Sequence, residues 1–264
     1  MQFYLGAHQP SWLRSGVIAG PLFVSRKRLL DRKPFASRVP WAMDSGAFSE
    51  LAKHGKFTVS SLEYARELSA WVEADTGGML QWAAPLDWMC EPFMVEKTGL
   101  TVRQHQHRTL DNYLSLLHLM RGTTVIPVLQ GWSCGEYRQH RDDYERAGVD
   151  LKSLPLVGLG SVCRRQNVWK IQGLIRELAE DGLKLHAFGF KVDGLREVAR
   201  WLTSSDSMAW SFAARRRQLR LPDCTHPNHC ANCPRWADEW RATEVMPAIE
   251  FGERHAADLF TASL

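Results

Sequence analysis

The sequence predicts an α/β protein folded as a TIM-type (β/α)8-like barrel. Three observations carry that expectation. Short apolar, β-prone runs alternate with longer amphipathic ones along most of the chain, the pattern of parallel strands joined by right-handed helical crossovers. Several of the short runs are almost continuously apolar, as in strands covered on both faces. Run after run also ends in a polar or glycine cluster, and a barrel gathers the C-terminal ends of its strands at one mouth, where active sites sit.

Taken in order, the strands are expected over 2–6, 39–43, 79–84, 124–129, 155–159, 185–190 and 208–211. Helices are expected over 60–73, 98–120, 135–147, 166–179 and 194–203. In the first helix Leu62, Ala65, Leu68, Trp71 and Val72 fall close to helical spacing, and Ser60 with Glu63 reads as a capping box. The strand-end clusters are Asp44-Ser45-Gly46, Asp87, Gln130-Gly131, Gly158-Leu159-Gly160-Ser161, Lys191 and Asp206. Such residues also end strands for purely local reasons, since Asp, Gly and Ser form turns; their recurrence at successive ends favours a pocket. His8, at the end of the first strand, reads equally as a mouth residue and as a core or turn histidine. An open doubly wound sheet is the alternative architecture. Its dinucleotide-binding form is disfavoured, because no G-x-G-x-x-G follows the first strand.

The composition narrows the class. The chain has 264 residues, 45% apolar and 23% charged, which is ordinary globular usage and excludes a disordered or fibrous chain. We expect one barrel domain over 1–264, with 224–255 as a metal-binding subregion. No run of about 18 apolar residues occurs, and the N-terminal stretch lacks a secretory pattern. A cytoplasmic protein with no membrane association is therefore expected. Disulfides are not expected among its six cysteines.

Net charge is only +4, but the cations are clustered. Arg26, Lys27, Arg28, Arg32, Lys33 and Arg38 face one acid, Asp31, in a segment expected to follow the first strand. Arg215, Arg216, Arg217 and Arg220 form a second cluster. Either could be a solvated face; together they point to a polyanion partner. Near the C-terminus, Cys224, Cys230 and Cys233 lie close together, and Cys-x2-Cys is a common zinc half-site. His226, His229 and His255 compete for the fourth position.

The strand-end residues also carry a resemblance. Met43-Asp44-Ser45-Gly46-Ala47-Phe48 resembles the Asp-Ser-Gly-Gly-aromatic motif of the tRNA-guanine transglycosylases. Val128-Leu129-Gln130-Gly131 is similar to their Val-Gln-Gly segment, and Gly158-Leu159-Gly160-Ser161-Val162 to their glycine-rich base-binding loop. Asp206-Ser207-Met208-Ala209-Trp210 resembles their nucleophile segment, and the cysteine cluster followed by His255 their C-terminal zinc site. The chain is short for a tRNA enzyme. With Ala7-His8-Gln9-Pro10 and the 81–88 segment, it most resembles the DNA-directed branch, the DpdA family, which places 7-deazaguanine derivatives in DNA.

That resemblance implies the chemistry. Base exchange with retention needs a carboxylate that attacks C1′ and a second group that manages protons. Asp206 is the implied nucleophile and Asp44 the implied general acid/base; without the resemblance, Asp206 reads as a helix cap or turn residue. Asp87 and Gln130 would read the edge of the base, Gly158 and Gly160 would let backbone groups approach it, and Phe48 would stack on it or pack in the core. Arg215, Arg216, Arg217 and Arg220 would hold nucleic acid. Cys224, Cys230, Cys233 and His255 would bind a structural zinc ion, since four protein ligands leave no open position. The expected partners are DNA, with tRNA as the alternative, and a free 7-deazaguanine base; partner proteins and a homodimer stay open. Two positions depart from the family pattern. Ala47 replaces the second glycine, and Val162-Cys163-Arg164-Arg165 stands where the tRNA branch has a glutamate. A cationic stretch there favours a neutral substituent, such as the nitrile of 7-cyano-7-deazaguanine. Two rival readings are a catalytically silent zinc-containing nucleic-acid-binding protein and a metal-dependent barrel hydrolase. The hydrolase would need several histidines at strand ends, and almost none are found.

Overall fold

The computed structural model describes residues 1–120, 125–163, 168–226 and 228–261; at 168 and 255–261 it describes the backbone alone. Among the described residues eight strands form one parallel sheet: β1 (Gln2–Ala7), β2 (Leu22–Ser25), β3 (Trp41–Asp44), β4 (Leu80–Ala83), β5 (Val128–Leu129), β6 (Val157–Leu159), β7 (Leu185–Ala187) and β8 (Leu202–Ser207). Their order is β4-β3-β2-β1-β8-β7-β6-β5. The sheet curls until its two ends meet at one bridge, Ala83 to Val125, where Ile126 N–H donates to Ala83 O at 3.1 Å. Pro127 follows at once and has no N–H to give, so this seam is short. The α/β TIM-like barrel expected from the alternation is present.

The crossovers carry α1 (Ser11–Ser15), α2 (Ala47–His54), α3 (Ser61–Ala74), α4 (Pro92–Thr98), α5 (Val102–Leu119), α6 (Cys134–Arg146), α7 (Val168–Glu180) and α8 (Val192–Val198). After β8 come α9 (Ala209–Arg217), α10 (Pro234–Trp240) and α11 (Met246–Thr261), the last two joined through a π-helical turn at Arg241–Val245. The Ser60–Glu63 capping box expected for α3 is formed, and Thr101–Gln104 and Ser133–Glu136 form two more. No helix among the described residues is long and apolar enough to cross a membrane.

Four expectations need correction. The last strand was expected at 208–211, but β8 is Leu202–Ser207 and 209–211 open a helix. The run Thr203-Ser204-Ser205-Asp206-Ser207 has loop composition, yet its polar groups are satisfied inside the protein: Ser205 Oγ donates to Ala187 O at 2.8 Å, and Ser204 Oγ lies 2.9 Å from His186 Nδ1. Trp210 instead anchors α9, donating to Gly6 O at 2.9 Å. Strand β2 was not expected at all, so the 26–38 basic run follows the second strand and not the first. The helix expected over 98–120 starts late, as α5 at Val102: Thr98 is the last residue of α4, Gly99 (φ 68°) ends that helix in the left-handed region and Thr101 caps α5. The 194–203 helix ends early, and its last residues enter β8. Thr124, Gln166 and Asn167, expected at element ends, lie outside the described residues.

Strand alternation sorts side chains into two sets. One faces the surrounding helices, as in the Trp41 and Trp71 ring contact at 5.8 Å. The other fills the barrel: Tyr4, Ala42, Trp82, Ile126 and Leu156 form a separate inner cluster with Phe23 and Phe188 packed against it. Further up the same inward-facing rows come Ser25, Asp44, Gly160 and Asp206. The polar strand ends therefore stand directly above an aromatic floor.

Outside the barrel, α11 packs on α8 through Gly252. A Cβ at 252 would lie 2.5 Å from Leu195 O and 2.9 Å from Arg196 O, both backbone atoms that cannot rotate away. Gly252→Ala is expected to cost about 1–3 kcal/mol, read as a lower midpoint in urea unfolding. An unchanged midpoint would contradict this packing.

Candidate active site and metal cluster

Three carboxylates meet at the mouth. Asp44 ends β3, Asp206 lies one residue from the end of β8, and Asp87 sits in the turn after β4. Asp44 is raised to about 6, first by withdrawal from water and further by the charge of Asp206, against hydrogen bonds from Ser25 and Gly46. Asp87 is raised to about 7, by burial and then by the charge of Asp44. Each thus feels a neighbouring carboxylate, so the strands bring together what the sequence holds 162 positions apart at the extremes, from Asp44 to Asp206.

Asp206 is held on one side only. Its Oδ1 accepts from Gly189 N–H at 2.8 Å and lies 3.3 Å from His186 Nε2. Among the described residues Oδ2 has no hydrogen-bond partner. Gly189 takes φ 57°, a left-handed conformation open to glycine, and this presents its N–H to the carboxylate. His186 is fully buried in β7. Burial depresses its pKa, opposed by the hydrogen bond and charge of Asp206, and the neutral ring can donate from Nε2 while Nδ1 accepts from Ser204.

Asp87 and Gln130 form the second half of the site. Gln130 Nε2 donates to Asp87 Oδ2 at 2.7 Å, and Ser45 Oγ donates to Asp87 Oδ1 at 3.1 Å. Ser161 Oγ accepts from Cys90 N–H at 2.7 Å and shares its proton between Gln130 Oε1 (2.7 Å) and Glu91 Oε2 (2.9 Å). These contacts hold Ser161 at φ 54°, a sparsely populated conformation for a non-glycine residue and one that collects at functional sites.

The remaining expected residues divide. Gly160 leaves room for Gln130, whose Nε2 would lie 2.3 Å from a Cβ there; Gly158 leaves room for the Phe188 ring, at 2.5 Å. Their N–H groups are spent on sheet bonds to Leu129 O and Pro127 O. Both glycines therefore shape the site through their neighbours. Phe48 is exposed on α2, its ring centroid 6.3 Å from that of Phe93. Arg164 and Arg165 lie outside the described residues.

Sequence reasoning did not find His186, Phe23 or Phe188. Phe23 and Phe188 are partly exposed, with ring centroids 5.9 Å apart, and His186 lies 4.6 Å from Phe188. The available signal was a single histidine inside an apolar strand, Leu185-His186-Ala187.

A cavity of about 530 Å3 opens beside the mouth, lined among others by His8, Lys27, Arg28, Arg32, Arg215 and Asn232. The charges of Arg28 and Arg215 add to burial in depressing His8. Both basic runs therefore contribute to one surface. Arg26 does not: it is buried and paired with Glu67. Arg216 and Arg217 are exposed on α9, and Arg220 donates to Cys224 O at 3.2 Å.

The C-terminal cysteines form a compact cluster with His226, one of the three candidate histidines. Ligand atoms of Cys224, His226, Cys230 and Cys233 all lie within 4.8 Å of one another. His229 stands outside this cluster, and the side chain of His255 lies outside the described residues. Three sulfurs and an imidazole can hold a metal ion. Asn232, between two of these cysteines, reaches the cationic cavity.

The profile of the DpdA family, DeoxyPurine in DNA protein A, matches residues 1–261. The chain belongs to the DpdA family. Among curated proteins none matches it. A solved structure described as "putative isomerase from Sinorhizobium meliloti, open loop conformation" aligns over 87% of this DpdA-family chain at 10% identity and a TM-score of 0.44. The alignment spans 56% of that other protein.

The raised carboxyls give a stability test. Native Asp87 holds a proton that the unfolded chain releases at lower pH, so stability falls as pH rises from about 4 to about 7. Asp87→Asn removes that contribution. Relative to wild type, the variant should gain about 2–3 kcal/mol between pH 5 and pH 8, measured by urea unfolding at both. Parallel pH profiles would contradict the raised value.

Proposed function

We propose that this protein exchanges guanine in DNA for a 7-deazaguanine base through a covalent aspartyl-sugar intermediate. The observation that carries the reading is the meeting of Asp206 and Asp44 at one mouth in a chain of the DpdA family. Two carboxylates in different roles, one attacking and one exchanging a proton, are what a retaining glycosyl transfer needs.

Asp206 Oδ2 attacks C1′ of the target nucleotide while Gly189 and His186 hold Oδ1. The guanine leaves as its ring nitrogen takes a proton from Asp44, whose raised pKa supplies the acid near neutrality. The incoming base then gives a proton back to Asp44 and attacks C1′, which releases Asp206. Asp87 accepts from the N1–H and exocyclic amine of the base, and the Gln130 amide serves its carbonyl, in place of the Gln130–Asp87 bond. Phe23 and Phe188 offer the aromatic face beneath it. The cavity lined by Lys27, Arg28, Arg32 and Arg215 takes the flanking phosphates. The cationic 164–165 segment favours a nitrile-bearing base over an aminomethyl one.

The test incubates guanine-containing DNA, and separately tRNA, with 7-cyano-, 7-aminomethyl-7-deazaguanine and labelled guanine, followed by mass spectrometry of the nucleosides. We expect a 7-cyano product in DNA and none with Asp206→Asn. Product in tRNA alone, or an active Asp206→Asn variant, overturns the reading. His186→Phe should lower kcat by about 10²-fold, the cost of losing one preorganised donor, with KM for DNA little changed. His186→Gln, which keeps a donor, should recover most of it. Equal losses in both would assign His186 to packing alone.

The metal in this reading is zinc, and its role is structural. Cys224 Sγ lies 3.7 Å from Cys233 Sγ and 3.8 Å from Cys230 Sγ, close to the edge of about 3.8 Å of a tetrahedron with Zn–S bonds of about 2.3 Å. Cys230 Sγ and His226 Nε2 are 3.4 Å apart. Zinc bound there would fasten the end of α9 to the start of α10. Purified protein should carry one equivalent of zinc, and Cys230→Ala should lose it and melt at lower temperature. Full stability without metal would contradict this role.

A further inference from the structure

Phe212 and Trp169 are the two most exposed large apolar side chains described, at 65% and 67%. Both stand on the rim that holds the carboxylates. Trp169 lies in the first turn of α7, after β6, and Phe212 in the first turn of α9, after β8. Helix α9 begins three residues beyond Asp206. Its inner face buries Trp210, Ser211 and Ala214. Its outer face carries Phe212 and, one turn on, Arg215 and Arg216, all exposed. Arg215 belongs to the cationic cavity. An exposed ring and two arginines therefore share one helix face beside the proposed nucleophile.

This face matches what a duplex presents once a nucleotide has left the stack. Removing the base leaves a gap between two base pairs, flanked by phosphates at fixed spacing. Apolar side chains of proteins that distort DNA enter such steps, and arginines hold the neighbouring backbone. We propose that Phe212 enters the DNA stack at the position vacated by the target guanine, while Arg215 and Arg216 hold the adjoining phosphates. Trp169, two strands away on the same rim, is placed to contact the strand beyond. The inference rests on the DNA reading above and adds how the target is kept out of the helix. The surface commits to duplex DNA because an unpaired strand has no gap to fill.

The test uses the full chain and guanine-rich DNA duplexes carrying 2-aminopurine next to a guanine, whose fluorescence reports loss of stacking. No turnover is needed, and no free 7-deazaguanine is added. Wild type should raise the fluorescence on binding. Phe212→Ala should lose at least about fivefold of that rise at saturating protein, and Phe212→Trp should keep it. Arg215→Glu with Arg216→Glu should weaken duplex binding and lower its salt dependence. No rise with wild type, or an equal rise with Phe212→Ala, overturns the inference. A failed base-exchange reading would show differently, as an intact fluorescence signal with no modified nucleoside.

Discussion

Carboxylates crowded at one barrel mouth repel one another, and the rest of the site is arranged around that repulsion. Asp44 feels Asp206, and Asp87 feels Asp44. Withdrawn from water, they cannot all hold a charge cheaply near neutral pH. The surrounding groups decide how the charge is shared. Gly189 N–H and His186 aim donors at Asp206, which suits an acceptor-only carboxylate. Asp87 has donors from Ser45 and Gln130, yet burial outweighs them. Asp87, raised to about 7, and Asp44, raised to about 6, both exchange protons close to neutrality. A site with one anchored carboxylate and exchangeable protons beside it follows from strand register and burial before any substrate is considered.

The barrel interior supports this by division into tiers. The lower tier is aromatic: Tyr4, Trp82, Phe23, Phe188 and His186 contact one another edge-on or tilted. It excludes water from beneath the carboxylates and sets their desolvation. The upper tier is polar and hydrogen-bonded, with Gly160 giving way so that Gln130 can reach Asp87. Beyond β8 the chain passes directly from Asp206 into α9, then into the Cys224–Cys233 cluster. Arg215 on α9 and Asn232 inside the cluster both line the charged cavity, so this one stretch of chain joins Asp206, the cavity and the metal cluster.

Much of this was legible in the sequence, and the exceptions have physical causes. The positions of β1, β3, β4 and β6 follow from apolar runs ending in Asp, Gly or Gln, because strands buried on both faces leave that signature. The same rule hid β8, where serines bonded within the protein occupy both inward and outward positions. It hid β2 because four residues between Pro21 and a basic run carry little periodicity. Asp44, Asp87, Gln130 and Asp206 were found as strand-end residues and do converge. His186 was not, because a buried histidine in an apolar strand carries no motif and its partner is contributed by the neighbouring strand. His226 was only one of three candidate histidines for the metal, since spacing alone does not say which imidazole the loop turns inward.

Asp44 and Asp87 should therefore titrate well above ordinary aspartates, Asp44 in part through the charge of Asp206 and Asp87 in part through the charge of Asp44. Carbon-13 NMR of aspartate side-chain carboxyls across a pH series, in wild type and Asp206→Asn, measures this directly. The expected midpoints are near 6 for Asp44 and near 7 for Asp87, with the Asp44 midpoint falling once the Asp206 charge is removed. Midpoints at the ordinary aspartate value of about 3.9, unmoved by that substitution, would contradict the coupling.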